Sequence, residues 1–143
     1  MGTFSYEHPV IKLRKKKNGE MGLFATRKIK KGEITSISAG MVLPLREVKK
    51  SKYYTHYGYF LEKGFFLVPF TKELDSNWFM NHSCNPNTGG TEALTNYALR
   101  DIKKGEEITY DYTKDYTGYK DYKPFRKFKC KCGSKNCKKV IWF

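Results

Sequence analysis

The sequence predicts a mainly β domain built around one hydrophobic core. Short apolar runs of four or five residues, separated by turn residues, recur along the 143-residue chain, which is typical of strands. Candidate helices are few and weak. At this length a fold buries about two-thirds of the surface of its chain, so one domain can form a core without a disulfide framework.

Seven apolar runs are predicted to be strands. They cover residues 10–13, 22–25, 33–37, 57–61, 65–68, 97–99 and 107–110. The Lys-Gly pair at 63–64 is predicted to form the tip of a hairpin. Two helical segments are predicted, a polar, Lys-rich stretch at 45–54 and a short helix at 74–81 that turns Trp78 and Phe79 inward.

One short segment of the chain occurs twice in similar form, and we call this repeat the echo. Residues 27–34 read RKIKKGEI, and residues 100–108 read RDIKKGEEI. In both segments a basic turn closed by a glycine leads into a strand. Chance also explains two such turns, because Lys-Gly-Glu is a natural start for a strand.

Composition excludes several classes of protein. The apolar fraction of 39%, with 16% aromatic residues, is too high for a disordered chain, and collagen and coiled coil are excluded as well. No apolar run approaches the roughly 20 residues that span a membrane, so no membrane partner is expected. The first seven residues lack the basic and apolar regions of a secretory signal, so we expect an intracellular protein in a reducing compartment.

The charge is strongly basic and unevenly distributed. Lys and Arg number 28 against 14 Asp and Glu, which gives a formal net charge of +14. Residues 123–139 contain eight basic residues and no acid, residues 12–17 add five, and Asp111, Asp115 and Asp121 lie among the tyrosines between them. These basic ends predict either contact with nucleic-acid phosphates or an ordinary solvated surface. With 23 Lys to 5 Arg, phosphate contact is favoured over base recognition.

Four cysteines form a pattern that indicates a metal site. Cys130, Cys132 and Cys137 lie within eight residues, whereas Cys84 lies far upstream. Disulfides are not expected in a reducing compartment, and four thiolates are a usual ligand set of a closed tetrahedral zinc site. A turn at 133–134 lets the clustered sulfurs converge, and the surrounding lysines suit an anionic centre. The alternative is four free thiols in an ordinary core.

Three motifs in a fixed order give the chain a family resemblance. Residues 81–87 read NHSCNPN, residues 105–112 read GEEITYDY, and the cysteine cluster follows. With these motifs the sequence resembles the SET-domain protein lysine methyltransferases. Residues 22–26, GLFAT, are similar to the opening cofactor motif of that family, so the resemblance covers roughly residues 9–141.

The resemblance implies a fold and a domain organisation. The implied SET-domain (β-clip) fold has several short sheets, a knot-like C-terminal segment and a small zinc-bound post-SET tail. The chain would then comprise an N-terminal extension at 1–8, a SET catalytic domain at 9–122 and a post-SET zinc-binding segment at 123–143. Cys84 would tie the cofactor loop to the zinc site.

The resemblance also implies transfer of a methyl group from S-adenosylmethionine to a lysine of a protein. Tyr112 matches the catalytic tyrosine, and Tyr110 matches the position at which tyrosine favours fewer methyl groups, so we expect mainly monomethylation. The implied cofactor-binding residues are Glu20, Met21, Gly22, Leu23, Asn81 and His82. The chemistry agrees, because methyl transfer needs a neutral, aligned amine, and burial in a tyrosine-lined channel disfavours the ammonium form.

The sequence departs from the family pattern at two places. Glu20 stands where the first glycine of the family's Gly-x-Gly motif usually lies. The segment at 37–40 lacks a channel tyrosine, for which one of four later tyrosines would substitute: Tyr53, Tyr54, Tyr57 or Tyr59. Trp142 either closes over the cofactor or the lysine channel, or packs against the core.

The substrate and partners stay open at this level. A histone tail is the commonest target in the family, so the expected partner is a histone tail or a nucleosome. DNA contact through the basic ends, or a grip on the peptide by the acidic residues around Asp111, would offset the repulsion between this chain and a basic tail. The expected location is the nucleus or chromatin for a eukaryotic or viral protein and the cytoplasm for a bacterial one. The alternatives are methylation of a non-histone protein, or a catalytically silent, zinc-stabilised basic module that binds nucleic acid or chromatin.

Overall fold

A computed structural model of the chain describes residues 5–90, 94–116 and 122–143. Tyr119 and Asp121, which belong to the tyrosine-rich segment discussed above, lie outside the described residues, as do the side chains of Asp115 and Tyr116. The prediction of a mainly β domain with several small sheets is confirmed, because short strands in four sheets make up most of the regular structure in the described residues.

Thirteen strands are present in the described part of the chain. Their bounds are β1 Tyr6–Glu7, β2 Ile11–Lys15, β3 Met21–Ala25, β4 Ile34–Ile37, β5 Met41–Pro44, β6 Tyr59–Glu62, β7 Phe65–Val68, β8 Asn81–His82, β9 Thr88–Gly90, β10 Thr95–Ala98, β11 Glu107–Tyr110, β12 Lys127–Lys129 and β13 Val140–Trp142. The seven predicted strands are all found, each within two residues at either end. The six additional strands have two to four residues each.

The helices are shorter than the sequence predicts. The segment predicted as one helix at 45–54 forms two, α1 Leu45–Val48 and α2 Lys52–Tyr57. The chain is extended at Ser51 between them, and the Ser51 hydroxyl caps α2 by accepting a hydrogen bond from a backbone N–H at 3.3 Å. The helix predicted at 74–81 is one 3₁₀ turn, Ser76–Phe79, in which Trp78 is buried and Phe79 half-buried.

Two sheets have four strands each, and the two copies of the echo form the turns that connect one sheet to the other. Their orders are β2-β3-β11-β8 and β9-β10-β4-β1. After β3 the first echo turn leads the chain into the other sheet as β4, and after β10 the second echo turn leads it back as β11. Each half of the chain thus passes from one sheet to the other at its echo turn and contributes two strands to each sheet.

The two echo turns meet at the centre of the molecule. Ile29 and Ile102 form an antiparallel bridge, with N–H to carbonyl distances of 2.9 and 2.8 Å, and both side chains are fully buried. Gly32 and Gly105 close the turns with φ of +87° and +86°, a conformation that favours glycine. The main core packs against this bridge. The echo is thus two equivalent turns that pair with each other.

A third sheet, with order β5-β7-β6, carries its own small core under α1. Its hairpin tip is the predicted Lys-Gly pair, in which Lys63 and Gly64 have φ of +43° and +80°. Both values suit the type of turn that fits a twisted two-stranded ribbon.

The β12–β13 ribbon of the C-terminal segment is bonded to the body of the protein before its first strand and in the loop between its strands. The Arg126 guanidinium donates to the carbonyls of Thr55 and Gly58 at 3.0 and 2.6 Å. Asn136 donates its amide to the carbonyl of Cys84 at 2.9 Å, directly after β8. The ribbon is thereby fixed against both α2 and the β8 loop. Among the described residues, no helix has the length and apolar character that crossing a membrane requires.

We expect Ile102→Ala to lower the free energy of unfolding by about 2–5 kcal/mol, because it opens a cavity at the bridge between the echo turns. Ile37→Ala is the matched control, since Ile37 is 38% exposed and its truncation should cost about 1 kcal/mol or less. Urea unfolding of both variants measures the difference. Equal losses would contradict the central position of the bridge.

Candidate functional site

A cleft of about 1440 Å³ separates the β2–β3 hairpin and β11 from the C-terminal ribbon. Most of its lining residues come from within five segments, 16–21, 55–59, 78–83, 107–112 and 125–132, although not every residue of each segment reaches the cleft. Five chain segments that are distant in sequence thus contribute to one surface. Such a concave site, with aromatic walls and a few polar groups, is the usual form of a ligand site.

The predicted site residues distribute unequally around this cleft. Six of the eight predicted catalytic and cofactor-binding residues line it: Glu20, Met21, Asn81, His82, Tyr110 and Tyr112. Leu23 is fully buried in the main core. Gly22 is buried in β3, and a Cβ atom at this position would stand 2.6 Å from Oε1 of Glu107. The absence of a side chain at Gly22 therefore leaves the space that the Glu107 carboxylate occupies.

A short parallel pairing brings two of the sequence motifs side by side. β8 pairs with β11, so that Asn81 lies opposite Thr109 and His82 opposite Tyr110. The Ser83 N–H continues the ladder by donating to the Tyr110 carbonyl at 3.0 Å. Parallel neighbours cannot be joined by a tight turn, and 24 residues separate these two strands.

Side chains extend this two-residue pairing. Asn87 donates its amide to the carbonyl of Glu107 at 2.8 Å and accepts the N–H of Thr109 at 3.0 Å. The hydroxyl of Thr88 donates to the Thr109 carbonyl at 2.8 Å. Both Asn87 and Thr88 are buried, so these bonds are shielded from water and supply partners that a longer strand would give.

Aromatic rings form one wall of the cleft. Tyr112 lies 4.8 Å from Tyr110 between ring centroids, and its hydroxyl donates to the carbonyl of Met80 at 2.7 Å. Tyr59 meets the edge of Tyr110 at 6.1 Å and stacks on Trp78 at 4.9 Å with an interplanar angle of 11°. The stacked contact and the hydroxyl bond fix the orientation of these rings.

The structure distinguishes between the four candidates for the missing channel tyrosine. Tyr57 and Tyr59 line the cleft, and Tyr59 is the one that contacts Tyr110. Tyr54 packs against the small core of the third sheet, and the Tyr53 hydroxyl donates to the carbonyl of Thr71 at 2.8 Å. Tyr59 is thus the tyrosine whose position extends the aromatic wall.

Asn81 links β3, the strand that contains Gly22, to Glu107 of β11. Its amide nitrogen donates to the Met21 carbonyl at 2.8 Å and to Oε1 of Glu107 at 2.7 Å. Lys16 approaches the same carboxylate, with its Nζ 3.3 Å from Oε2. Neither Lys16 nor Glu107 is among the site residues predicted from the sequence, and Lys16 lies in a basic run that suits a solvated surface. The signal that could have identified Glu107 was its position next to Ile108 in the 105–112 motif.

His82 connects the cleft to the cysteine cluster. Its Nδ1 accepts the N–H of Tyr112 at 3.1 Å, so the ring proton belongs on Nε2, which faces Sγ of Cys84 at 3.3 Å. The side chain is 2% exposed. Burial lowers the pKa of His82 despite the opposing effect of Asp111, so a neutral imidazole is favoured. One ring thus holds the Tyr112 backbone and orients a cysteine.

The position of Asp111 differs from the expectation that it belongs to an acidic surface patch. Its side chain is 9% exposed rather than part of a surface patch. One carboxylate oxygen accepts the backbone N–H of Thr113 at 3.0 Å and the hydroxyl of the same residue at 2.7 Å. The proposal that acidic residues around Asp111 grip a basic peptide is therefore wrong for Asp111, because its carboxylate is used to close the turn after β11.

The four cysteines converge as the spacing predicts. Sγ atoms of Cys84, Cys130, Cys132 and Cys137 all lie within 4.8 Å of one another, and the first two are 3.9 Å apart. Thiolates bound about 2.3 Å from a tetrahedral metal lie about 3.8 Å apart, so the cluster can hold one ion. The Lys138 N–H donates to Sγ of Cys84 at 3.4 Å, as expected for a bound thiolate.

The electrostatics of the cluster also favour a cation. Burial raises the pKa of the Cys130 thiol to about 12, so the ionised form needs a compensating positive charge. Six exposed lysines surround the cluster: Lys127, Lys129, Lys131, Lys135, Lys138 and Lys139. The residues present thus have the chemistry and the spacing of a tetrathiolate metal centre.

Trp142 lies outside the cleft and outside the core. It is 49% exposed on the outer face of the β12–β13 ribbon, with the Lys127 ammonium 5.0 Å from its ring centroid. Neither of the two positions considered for this side chain is observed. Phe143, the next residue, lines the cleft and contacts Tyr112 at 5.3 Å.

Comparisons with known proteins are consistent with this architecture. A family model described as "SET domain" matches residues 20–113. The chain is 32% identical over 145 residues to a "Variant-silencing SET domain-containing protein" of Plasmodium falciparum, covering 89% of this chain and 5% of that protein.

Two further relatives are named for an activity. The chain is 33% identical over 134 residues to human "Histone-lysine N-methyltransferase 2B", covering 84% of this chain and 5% of that protein. It is 23% identical over 163 residues to "Histone-lysine N-methyltransferase Su(var)3-9" of Drosophila pseudoobscura pseudoobscura, covering 95% and 25%. The chain therefore spans a quarter or less of the length of these curated relatives.

Proposed function

Because the chain belongs to the SET-domain family, we propose that it is a protein lysine N-methyltransferase that uses S-adenosylmethionine. The family match and the names of the relatives support lysine methyltransferase activity. The observation that carries the proposal is the β8–β11 pairing, which sets Asn81 and His82 beside Tyr110 and Tyr112 at one cleft.

The cleft fits the proposed donor in size and in chemistry. Its volume is above the roughly 300–1000 Å³ usual for one small ligand, which leaves space for a cofactor and an incoming lysine side chain. Glu20, Met21, Asn81 and His82 would hold the cofactor, with Gly22 and Leu23 supplying the strand behind it. When bound, S-adenosylmethionine supplies a methyl group on a sulfonium sulfur. A neutral lysine nitrogen would attack the methyl carbon in line with the carbon–sulfur bond, and the sulfur would leave as a thioether.

The residues of this chain would act by alignment. Tyr112, fixed by its hydroxyl bond to Met80 and by the backbone bond to His82, would position the target amine. The aromatic wall of Tyr59, Tyr110 and Tyr112 would exclude water and favour the neutral amine, although ring faces also attract ammonium. Alignment of two reactants can supply roughly 7–11 kcal/mol of the acceleration.

We expect Tyr112→Phe to reduce methyl transfer about a hundredfold, because loss of the hydroxyl releases the ring from Met80 and misplaces the amine. Transfer of labelled methyl from S-adenosylmethionine to nucleosomes, free histones and a whole-cell protein extract measures the effect. Tyr53→Phe is the matched control, since it also removes a hydroxyl bond to a backbone carbonyl but lies away from the cleft. Equal activity of the two variants would contradict the role of Tyr112.

Tyr110 would limit the number of methyl groups added. It is 8% exposed and packs between Tyr59 and Tyr112, so a hydroxyl at this position leaves little space beside the target nitrogen.

We expect the wild-type protein to give mainly monomethyllysine and Tyr110→Phe to give a larger share of dimethyllysine, because removing the hydroxyl leaves more space. Mass spectrometry of the product measures the ratio. An unchanged ratio between mono- and dimethyl product would rule out this role for Tyr110.

The four cysteines would bind zinc and stabilise the C-terminal side of the cleft. Phe128 and Phe143 pack against the cluster and also line the cleft, so loss of the metal would disturb both. Binding of a metal to such a cluster contributes folding free energy.

We expect one zinc ion per chain, and we expect a chelator to lower the melting temperature by roughly 10 °C and to abolish methyl transfer. Restoring zinc should restore both. A Cys130→Ser, Cys132→Ser double variant should behave like the chelated protein, and full activity in that variant would refute the metal site.

A histone tail, presented by a nucleosome, is the substrate we propose, since several relatives are named for histone lysine methylation. This would locate the enzyme at chromatin. A chain with net charge +14 repels a basic tail at long range, and Asp111 does not offset this because it is buried. Exposed lysines of the ribbon and the cysteine loop would instead contact nucleosomal DNA, drawing the enzyme to its substrate.

We expect methylation of nucleosomes to weaken more steeply with salt than methylation of a free histone peptide, because only the nucleosome offers DNA phosphates. Replacing Lys135, Lys138 and Lys139 with Gln should flatten the dependence for nucleosomes and leave that for the peptide unchanged. Equal salt dependence for the two substrates in the wild-type protein would exclude DNA contact.

The whole-cell extract separates the remaining candidates. Label on a protein other than a histone would identify a non-histone substrate. A protein that binds DNA but neither binds S-adenosylmethionine nor transfers label would instead be a basic, zinc-stabilised binding module, which the strongly basic C-terminal segment favours as the second candidate.

A further inference from the structure

Three charged side chains meet where the β2–β3 hairpin faces β11. The Lys16 Nζ atom lies 3.3 Å from Oε2 of Glu107 and 3.6 Å from Oε2 of Glu20. All three residues line the cleft. The side chains of Lys16 and Glu107 are 26% and 24% exposed, whereas that of Glu20 is 66% exposed. Lys16 and Glu107 are therefore partly shielded from water and still reachable from the cleft.

The charges of this group do not balance. One ammonium faces two carboxylates, which gives the group a net charge of −1 within a chain whose net charge is +14. An additional cation is attracted to such a place, and partial burial strengthens the attraction. A ligand that brings both an ammonium and a carboxylate can satisfy the surplus carboxylate and keep Lys16 paired.

The two inner charges are held in position before any ligand arrives. Asn81 donates to Oε1 of Glu107, and the missing side chain of Gly22 leaves the space for that oxygen. Lys16 is fixed at the hairpin turn, where its N–H donates to the Glu20 carbonyl at 2.7 Å and its carbonyl accepts the N–H of Gly19 at 3.0 Å. Preorganised charges of this kind bind a ligand at a lower entropic cost.

We propose that Lys16 and Glu107 recognise the α-amino-acid end of the cofactor, with Lys16 binding the α-carboxylate and Glu107 the α-ammonium. Asn81, already bonded to Glu107, holds the acceptor carboxylate toward the ligand. This inference rests on the proposed function and assigns the charged end of its cofactor to two side chains. Glu20 takes part as the outer carboxylate that keeps Lys16 at the cleft.

The competing explanation is an ion pair that only ties the hairpin to β11. Three ligands that share the adenosine and the thioether sulfur separate the two explanations. S-adenosylhomocysteine carries the ammonium and the carboxylate, its decarboxylated analogue keeps only the ammonium, and 5′-methylthioadenosine has neither. Calorimetric titration of each ligand into the wild-type protein, Lys16→Gln and Glu107→Gln measures nine affinities without catalysis.

We expect Lys16→Gln to weaken S-adenosylhomocysteine roughly tenfold and to change the affinity for the decarboxylated analogue by less than about twofold, because that analogue lacks the group that Lys16 binds. We expect Glu107→Gln to weaken both of these ligands roughly tenfold. Neither substitution should change the affinity for 5′-methylthioadenosine, which also reports that the adenosine site is folded. Lys17→Gln is the matched control, an exposed neighbour that does not line the cleft.

Two outcomes would overturn the proposal. Equal weakening of all three ligands in a variant would mean that the pair acts only through the structure of the hairpin. Unchanged affinity for S-adenosylhomocysteine in both variants would mean that other groups bind its charged end. A wild-type protein that binds none of the three ligands would instead refute the proposed cofactor, and this inference with it.

Discussion

The site of this protein depends on a parallel pairing only two residues long. β8 and β11 form too few backbone hydrogen bonds to be stable alone, so the side chains of Asn87 and Thr88 supply bonds to β11 that further strand residues would otherwise make. Because these bonds are buried, replacing either side chain would leave backbone groups of β11 without a partner and would be costly. The NHSCNPN motif thus has a structural role beside its chemical one, since its last residue bonds to β11, the strand with which its first two residues pair.

The same loop relates the cleft to the cysteine cluster. His82 holds the Tyr112 backbone through one ring nitrogen and faces Cys84 through the other, while Asn136 binds the Cys84 carbonyl from the opposite side. Hydrogen-bonding groups outside the ligand shell commonly orient metal ligands, and His82 lies where it can do this for Cys84. One buried ring is thus all that lies between Cys84 and the Tyr112 backbone.

The sequence predicted the parts of the fold that are local and apolar. The seven strands formed by short runs of apolar and β-branched residues were recognisable, and so was the convergence of the cysteines, because thiols in this spacing have few other uses. β8 and β12 were missed since two residues, or the pattern Lys-Phe-Lys, carry too little signal. Asp111 was expected at the surface because acidic residues are usually exposed, yet its side chain is buried and its carboxylate caps the turn after β11. Lys16 and Glu107 were missed because their meeting depends on long-range pairing of β3 with β11, which no local pattern specifies.

The two crossings of the chain between the four-stranded sheets have a consequence for how the chain folds. The inner neighbour of β3 is β11, and the inner neighbour of β4 is β10. Neither sheet can therefore be completed by the first half of the chain. During synthesis the β2–β3 hairpin can therefore pair with β11 only after residue 110 has left the ribosome, and until the second half is made one edge each of β3 and β4 stays unpaired. Folding that depends on such distant partners is slow, and the nascent chain is a natural client for chaperones.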